Sequence, residues 1–275
     1  DETFSFITPY AKGAGTMAFG NSQFVDLIDE SELSPEQIAT VKERGVAYWG
    51  DQPATSGPVY IGVIVVFLAL LGMEYIKDAS KWALLAVTIL TVMLSWGKNY
   101  MGLTDWFLEN VPGYDKFRAV TIILVIAELC IPLLAVLLVQ KLIAEREDIK
   151  RNFKPFLITG AAFFVLLLGL KAGIDDSYTW IQEKSVNIDE ELKKSSEQMM
   201  AQIAQMTPEQ AQQNGIDRSN PAAVQALVDE QVRSQRMAYE SKVAATKKSR
   251  EEVYQSSVNR SLIFFILAIG ALAIY

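Results

Sequence analysis

Four long apolar runs, each flanked by polar connections, constrain this chain more than anything else in it. They cover about Val59 to Ile76, Trp82 to Trp96, Phe117 to Leu142 and Pro155 to Leu170. A helix needs roughly 20 mostly apolar residues to cross a hydrocarbon core about 30 Å thick. Inside that core every backbone amide must find its partner within the protein, which leaves helices and closed barrels. A fifth run starts at Ser261 and reaches Tyr275, short of a full span. The expected fold class is all-α: a polytopic transmembrane helical bundle with four full spans and a truncated fifth.

The connections set the expected orientation. Lys77 and Lys81 lie in the first turn, and Lys141, Arg146, Lys150, Arg151 and Lys154 surround the link between the third and fourth runs. Short loops rich in Lys and Arg stay on the cytoplasmic side. Residues 1–57, the loop 97–117 and the long segment 172–259 then all fall on the opposite side. This gives an extracytoplasmic loop with a short helix (1–57), four transmembrane helices (58–171), an extracytoplasmic helical hairpin (172–259) and the start of a fifth transmembrane helix (260–275). A bacterial inner membrane with the large loops periplasmic is the expected location. The chain opens on Asp1-Glu2-Thr3 without a targeting segment and closes inside an apolar run. The expectation is an internal piece of a larger membrane protein.

Local signals refine the polar parts. Ser34 as N-cap, Pro35 at the first helical position and Gln37 closing a capping box announce a helix that Gly45 is placed to stop. Tyr48 to Pro53 and Thr55 to Pro58 read as turns, and the Tyr48-Trp49 pair beside Asp51 reads either as a sugar-stacking site or as a loop packed onto the membrane face. Thr207-Pro208-Glu209-Gln210 repeats the capping-box pattern, and Asn220-Pro221 starts another helix. Leu192, Met199, Met200, Ile203 and Met206 form one partial apolar stripe, and Val224, Leu227, Val228 and Val232 another. With a break at Gly215, the segment predicts two amphipathic helices folded back on each other. Residues 185–258 are then either a partner-binding arm or a solvated spacer.

Composition removes whole classes of chemistry. The 275 residues contain no histidine, which excludes every Ser-His-Asp, Cys-His and HExxH site. Cys130 is the single cysteine, so no intrachain disulfide forms. The net charge is -7 with no basic domain, so nucleic acid is not an expected partner. What remains is the stretch Trp96 to Arg118, which mixes charges with interleaved aromatics. Tryptophan and tyrosine favour the membrane–water boundary. Among them, Lys98, Lys116 and Arg118 are candidates to hold an anionic headgroup, and arginine's planar fork suits a phosphate best. Trp49, Asp51, Tyr60, Asp105 and Trp106 are candidates for a sugar or acceptor. Asp105 and Asp115 could share a divalent cation through oxygen ligands, although ten positions separate them; no metal site is assigned. The alternative is an ordinary interfacial loop anchored by its aromatics. Glu128 lies inside the third run, where an ionisable residue usually faces the bundle interior. It reads either as a cavity wall or as a carboxyl hydrogen-bonded to a neighbouring helix.

Several of these stretches resemble one family. Tyr48-Trp49-Gly50-Asp51-Gln52-Pro53-Ala54-Thr55-Ser56-Gly57-Pro58 through Gly62 looks like the loop-to-helix junction of YfhO-type membrane proteins of Bacteroidetes. Leu94 to Tyr100, Leu103-Thr104-Asp105 and Val111 to Arg118 resemble the next outer loop, and Ile122 to Ala135 continues the likeness. Arg260 to Phe264 is similar to that family's re-entry into the membrane, and residues near Ile7 to Tyr10 and Gly13 to Gly15 resemble its upstream loop. The hairpin departs in length and sequence. YfhO-type proteins are placed with the GT-C glycosyltransferases. The resemblance therefore implies transfer of a sugar from a polyprenyl-phosphate carrier to an acceptor on the outer face of the inner membrane. It also implies an acidic residue in an early outer loop, acting as catalytic base or metal ligand and expected upstream of residue 1, so no residue here is assigned that role. Two other functions remain open on sequence alone: a non-catalytic subunit that docks an envelope or secretion assembly through its hairpin, and a lipid or solute transporter.

Overall fold

The computed structural model describes residues 2–22, 34–44, 46–50, 59–116, 119–173, 188–217 and 219–274. The chain is mostly helical. Strand β1 (Gly13–Ala18) is followed by helix α1 (Pro35–Arg44) and strand β2 (Val46–Tyr48). Then come α2 (Val63–Tyr75), α3 (Ser80–Ser95), α4 (Met101–Asn110), α5 (Leu124–Ala144), α6 (Arg146–Arg151) and α7 (Lys154–Ala172). Helices α8 (Ile188–Gln205), α9 (Pro208–Gln213) and α10 (Pro221–Ile274) complete the order. Two compact units emerge: Asp1–Met17, Gln52–Tyr178 and Val253–Tyr275 form the first, and Ala18–Asp51 with Thr179–Glu252 the second.

In the first unit, α2 packs against α5 and α7, and α3 packs against α5. Its centre is aromatic. The fully buried Phe67 of α2 meets Phe163 of α7 at 5.6 Å and Phe265 of α10 at 4.9 Å, with Phe156 edge-on at 6.3 Å. Edge-to-face and tilted rings at these separations add specific attraction to the area they bury. Gly72 lets α2 approach α5: a Cβ there would lie 3.2 Å from the Leu134 carbonyl oxygen. Small residues at such crossings are how membrane helices gain packing where no hydrophobic drive exists between them.

The outer faces of α5 and α7 are apolar as well. Leu129 and Ile158 are about 70% exposed, and Val125, Val136 and Val165 at least 60%. Contiguous apolar surface on this scale is foreign to a water-soluble surface and ordinary against lipid. Among the described residues, three helices are long and apolar enough to cross a membrane: Val120–Ala144, Lys154–Ala172 and Pro221–Ile274. A fourth is counted if α3 and the segment Gly97–Asn110, bent by 108°, are one broken span.

The apolar runs and the helices differ in their limits. The first run yields only the thirteen residues of α2, about 20 Å of helix. Its beginning is drawn off into a strap: Ile61 and Gly62 donate their amides to the Phe6 carbonyl, and Ser5 Oγ donates to the Val59 carbonyl. The same strap takes a hydrogen bond from Ser261 Oγ at the Ile7 carbonyl, and Tyr10 N donates to Ser257 Oγ. The last apolar run is the end of an uninterrupted helix beginning at Pro221 rather than a separate element.

The second unit is held differently. Trp49 and Ala47 are fully buried, and the Arg250 guanidinium stands 5.5 Å from the Trp49 ring. Burial pushes the Arg250 pKa down to about 10. Helices α8 and α10 bury Leu192, Val224 and Val228 and are tied by Ser195–Gln235 at 3.1 Å and by the Asp189–Arg236 ion pair at 2.6 Å. The capping box forms reciprocally: Gln210 N donates to Thr207 Oγ1, and Thr207 N donates to Gln210 Oε1. Asn220 Oδ1 accepts from the amides of Ala222 and Ala223, which fixes where α10 starts. Helix α1 begins at Pro35 as expected; Gly45 and the turn residues 51–58 lie outside the described residues.

Candidate functional site: an aromatic elbow at the end of α3

Helix α3 ends in a corner. Trp96 is its C-cap, and Gly97 follows with φ +47. A left-handed residue just past a helix end is the usual terminator, and glycine adopts it without a Cβ penalty. A Cβ at Gly97 would also stand 2.8 Å from Val120 Cγ2. A 3-10 turn, Gly97–Tyr100, then leads into α4.

A buried hydroxyl fastens the corner. Thr104 Oγ1 lies 3.1 Å from the Gly97 carbonyl and 3.3 Å from the Tyr100 carbonyl. The Gly97 carbonyl belongs to the turn between the helices and the Tyr100 carbonyl to the N-cap of α4, so the Thr104 hydroxyl ties the start of α4 back to the end of the bend. From outside, Trp96 Nε1 donates to Thr3 Oγ1 at 3.1 Å. Trp96 and Tyr100 meet edge-on at 6.3 Å, and Trp106, Phe107 and Tyr114 form a ladder at 5.2 and 5.4 Å.

The spacing in α4 divides its faces. Leu103, Thr104 and Phe107 turn inward, while Asp105, Trp106 and Glu109 are exposed. Trp106 keeps 55% of its surface free and Tyr100 44%. Lys98, in the turn that precedes α4, is exposed. The elbow thus presents ring faces, carboxylates and a cation together, the groups that stack on, hydrogen-bond to and neutralise a phosphorylated sugar.

The other sequence candidates distribute unevenly. Lys116 is exposed and paired with its neighbour Asp115 at 2.9 Å, an arrangement worth little in water. Tyr60 is 43% exposed just before α2. Arg118, Phe117 and Asp51 lie outside the described residues. Trp49 is 1% exposed in the second unit and covered by Arg250, so its ring is packed rather than offered to a ligand. Glu128 stands on the exposed face of α5 with Val125 and Leu129, not toward the bundle interior where an intramembrane carboxylate is expected. Among the described residues no group of three or more acidic or cysteine side chains converges to hold a metal ion.

Sequence reasoning passed over Gly97 and Thr104. Gly97 carried a usable signal, a glycine directly after an apolar run. Thr104 carried none, because its role depends on a bend that brings positions 97 and 104 together.

No family model, no curated protein and no solved structure matches this chain.

Proposed function

We propose that this chain is the middle portion of a membrane glycosyltransferase-like protein of the GT-C kind. In this reading it takes a sugar from a polyprenyl-phosphate donor and passes it to an acceptor at the outer face of a bacterial inner membrane. The observation that carries it is the elbow. A sixteen-residue apolar helix turns through 108° and lays down a short helix with Trp106, Asp105 and Lys98 exposed. The likeness of Leu94 to Arg118 to the YfhO-type loop supports the same reading.

Lys98, Lys116 and Arg118 hold the donor phosphate, where partial exclusion of water strengthens charge-assisted contacts. Trp106 and Tyr60 offer ring faces to the sugar, and Asp105 accepts from its hydroxyls. Four spans and the start of a fifth frame the site, with residues 172–259 as an extracytoplasmic hairpin. None of these residues is assigned the catalytic step; in this reading they bind and orient the donor.

The test is release of polyprenyl phosphate by membranes carrying the whole protein, offered polyprenyl-phosphate hexoses and aminosugars. Arg118→Ala and Lys98→Ala abolish release while expression is unchanged. Full release in both variants overturns the assignment; no release of any donor by the unaltered protein favours the docking subunit. Orientation has its own check. An impermeant thiol reagent labels Gly215→Cys from outside intact cells and leaves Asp148→Cys unlabelled.

A further inference from the structure

At the opposite end of the first unit from the elbow, α2, α5, α6, α7 and the end of α10 enclose a cleft of about 60 Å³. Leu71, Leu142, Phe156 and Leu272 form its apolar walls, and Arg146 and Tyr75 are its polar members. Arg146 opens α6, the short helix joining two membrane-crossing helices, and its side chain is exposed. Tyr75 donates its hydroxyl to the Asn152 carbonyl at 2.8 Å, which satisfies that polar group. Phe153 stands on the rim, 38% exposed.

The geometry points to a binding site for one anionic phospholipid, with its phosphate at Arg146 and the upper part of an acyl chain in the cleft. Walls that offer water almost no partners keep such a space dry, and a hydrocarbon segment fills it. The cleft opens where helices meet the interface, and lipid is the surrounding solvent there. A guanidinium at that depth pairs with a phosphate through two parallel hydrogen bonds. The connection 145–154 carries Arg146, Lys150, Arg151 and Lys154 against Glu145, Glu147 and Asp148, with Glu145 already paired to Lys141 at 2.6 Å, and basic pockets between membrane helices are where acidic headgroups settle. A free phosphate gains nothing from the apolar walls, and a zwitterionic lipid offsets the attraction with its own cation. The inference is independent of the donor site, since the cleft shares no residue with the elbow.

The experiment is native mass spectrometry of the full chain in detergent micelles, titrated with phosphatidylglycerol or phosphatidylcholine. Phosphatidylglycerol binds about tenfold more tightly, the ratio one charge-assisted contact supplies. Arg146→Gln removes that preference, Arg146→Lys retains part of it, and Ala273→Phe, which fills the cleft, weakens both lipids. Arg151→Gln, a charge on the same connection that does not line the cleft, keeps the preference. Equal binding of the two lipids, an equal loss in Arg151→Gln, no effect of Ala273→Phe or displacement by inorganic phosphate each overturns the site. The Arg146→Lys variant keeps the test decisive if Arg146→Gln does not fold.

Discussion

The apolar bundle and the polar helical unit reach order by opposite means. In the bundle, Phe67, Phe163 and Phe265 interlock in the middle while Leu129 and Ile158 stay exposed. Inside and outside are equally apolar, so packing shape rather than burial selects the partner. In the polar unit, only Leu192, Val224 and Val228 are buried along α8 and the start of α10. There hydrogen-bonded caps and cross-helix pairs such as Asp189–Arg236 set register around a small apolar seam. One region is defined by volume, the other by donors and acceptors. A substitution should therefore act according to which region it enters.

The sharpest test removes volume. Phe67→Ala should cost about 3–5 kcal/mol, read as a loss of unfolding free energy in detergent while helix content in the polar unit persists. A cost below 1 kcal/mol would mean that the ring cluster does not organise the bundle. Next in size, and opposite in sign, is Glu128→Leu. An acidic side chain at membrane depth disfavours insertion by about 2–3 kcal/mol relative to leucine. The variant should insert more completely in a glycosylation-reporter assay; unchanged insertion would show that Glu128 is already relieved by a partner.

Gly97→Ala should destabilise by about 1–2 kcal/mol, the cost of a left-handed alanine, before the clash with Val120 is added. The measurement is thermal unfolding alongside Trp fluorescence, and no change in either would argue against a fixed corner. In the polar unit, Asn220→Ala should cost about 1 kcal/mol. Amide exchange at Ala222 and Ala223 should quicken while the bundle is untouched; uniform change in both regions would break the comparison.

The smallest effect is pH-dependent. The Ser219 hydroxyl and then its amide hold the Asp217 carboxyl below the usual carboxylate range. A lowered folded-state value stabilises above the ordinary pKa of about 4 and is lost as pH falls through the lowered value. Protection of the Ser219 amide should fall on acidification below pH ~4 and be lost in Asp217→Ala at neutral pH. Protection that is independent of pH would remove the carboxylate from the turn.

The two regions were legible in the sequence through different signals. Hydropathy located α5 and α7 because their apolar runs are continuous. It overextended α2, since Val59 to Gly62 are as apolar as a helix yet spend their amides and carbonyls on the strap at Ser5 and Phe6. Capping chemistry located α1, α9 and the start of α10, because Pro35, Thr207–Gln210 and Asn220 act within one turn of themselves. Side-chain direction was not legible. Trp49 reads either as a stacking platform or as a packed loop residue, and it is buried under Arg250, two hundred residues away in the chain; Glu128 reads as inward but stands outward. Of the elbow, its aromatics and charges were visible as composition. The 108° bend that groups them was not, because it rests on contacts of Gly97 with Thr104 and Val120.

A corner fastened by Gly97 and Thr104 does one more thing: it turns the length of α3 into a measurement. Sixteen residues of helix rise about 24 Å, less than the 30 Å of a typical hydrocarbon core. A hinge would let the aromatic girdle drift to meet whatever headgroup plane it found. With α3 as a span, a fixed corner would instead hold Trp96 and Trp106 at a set height, and the surrounding lipid would thin to meet them. Mismatch of a few ångströms costs fractions of a kcal/mol per ångström, enough to bias where a protein resides. The elbow would thereby act as a ruler, favouring the thinner regions of a bilayer that α3 crosses.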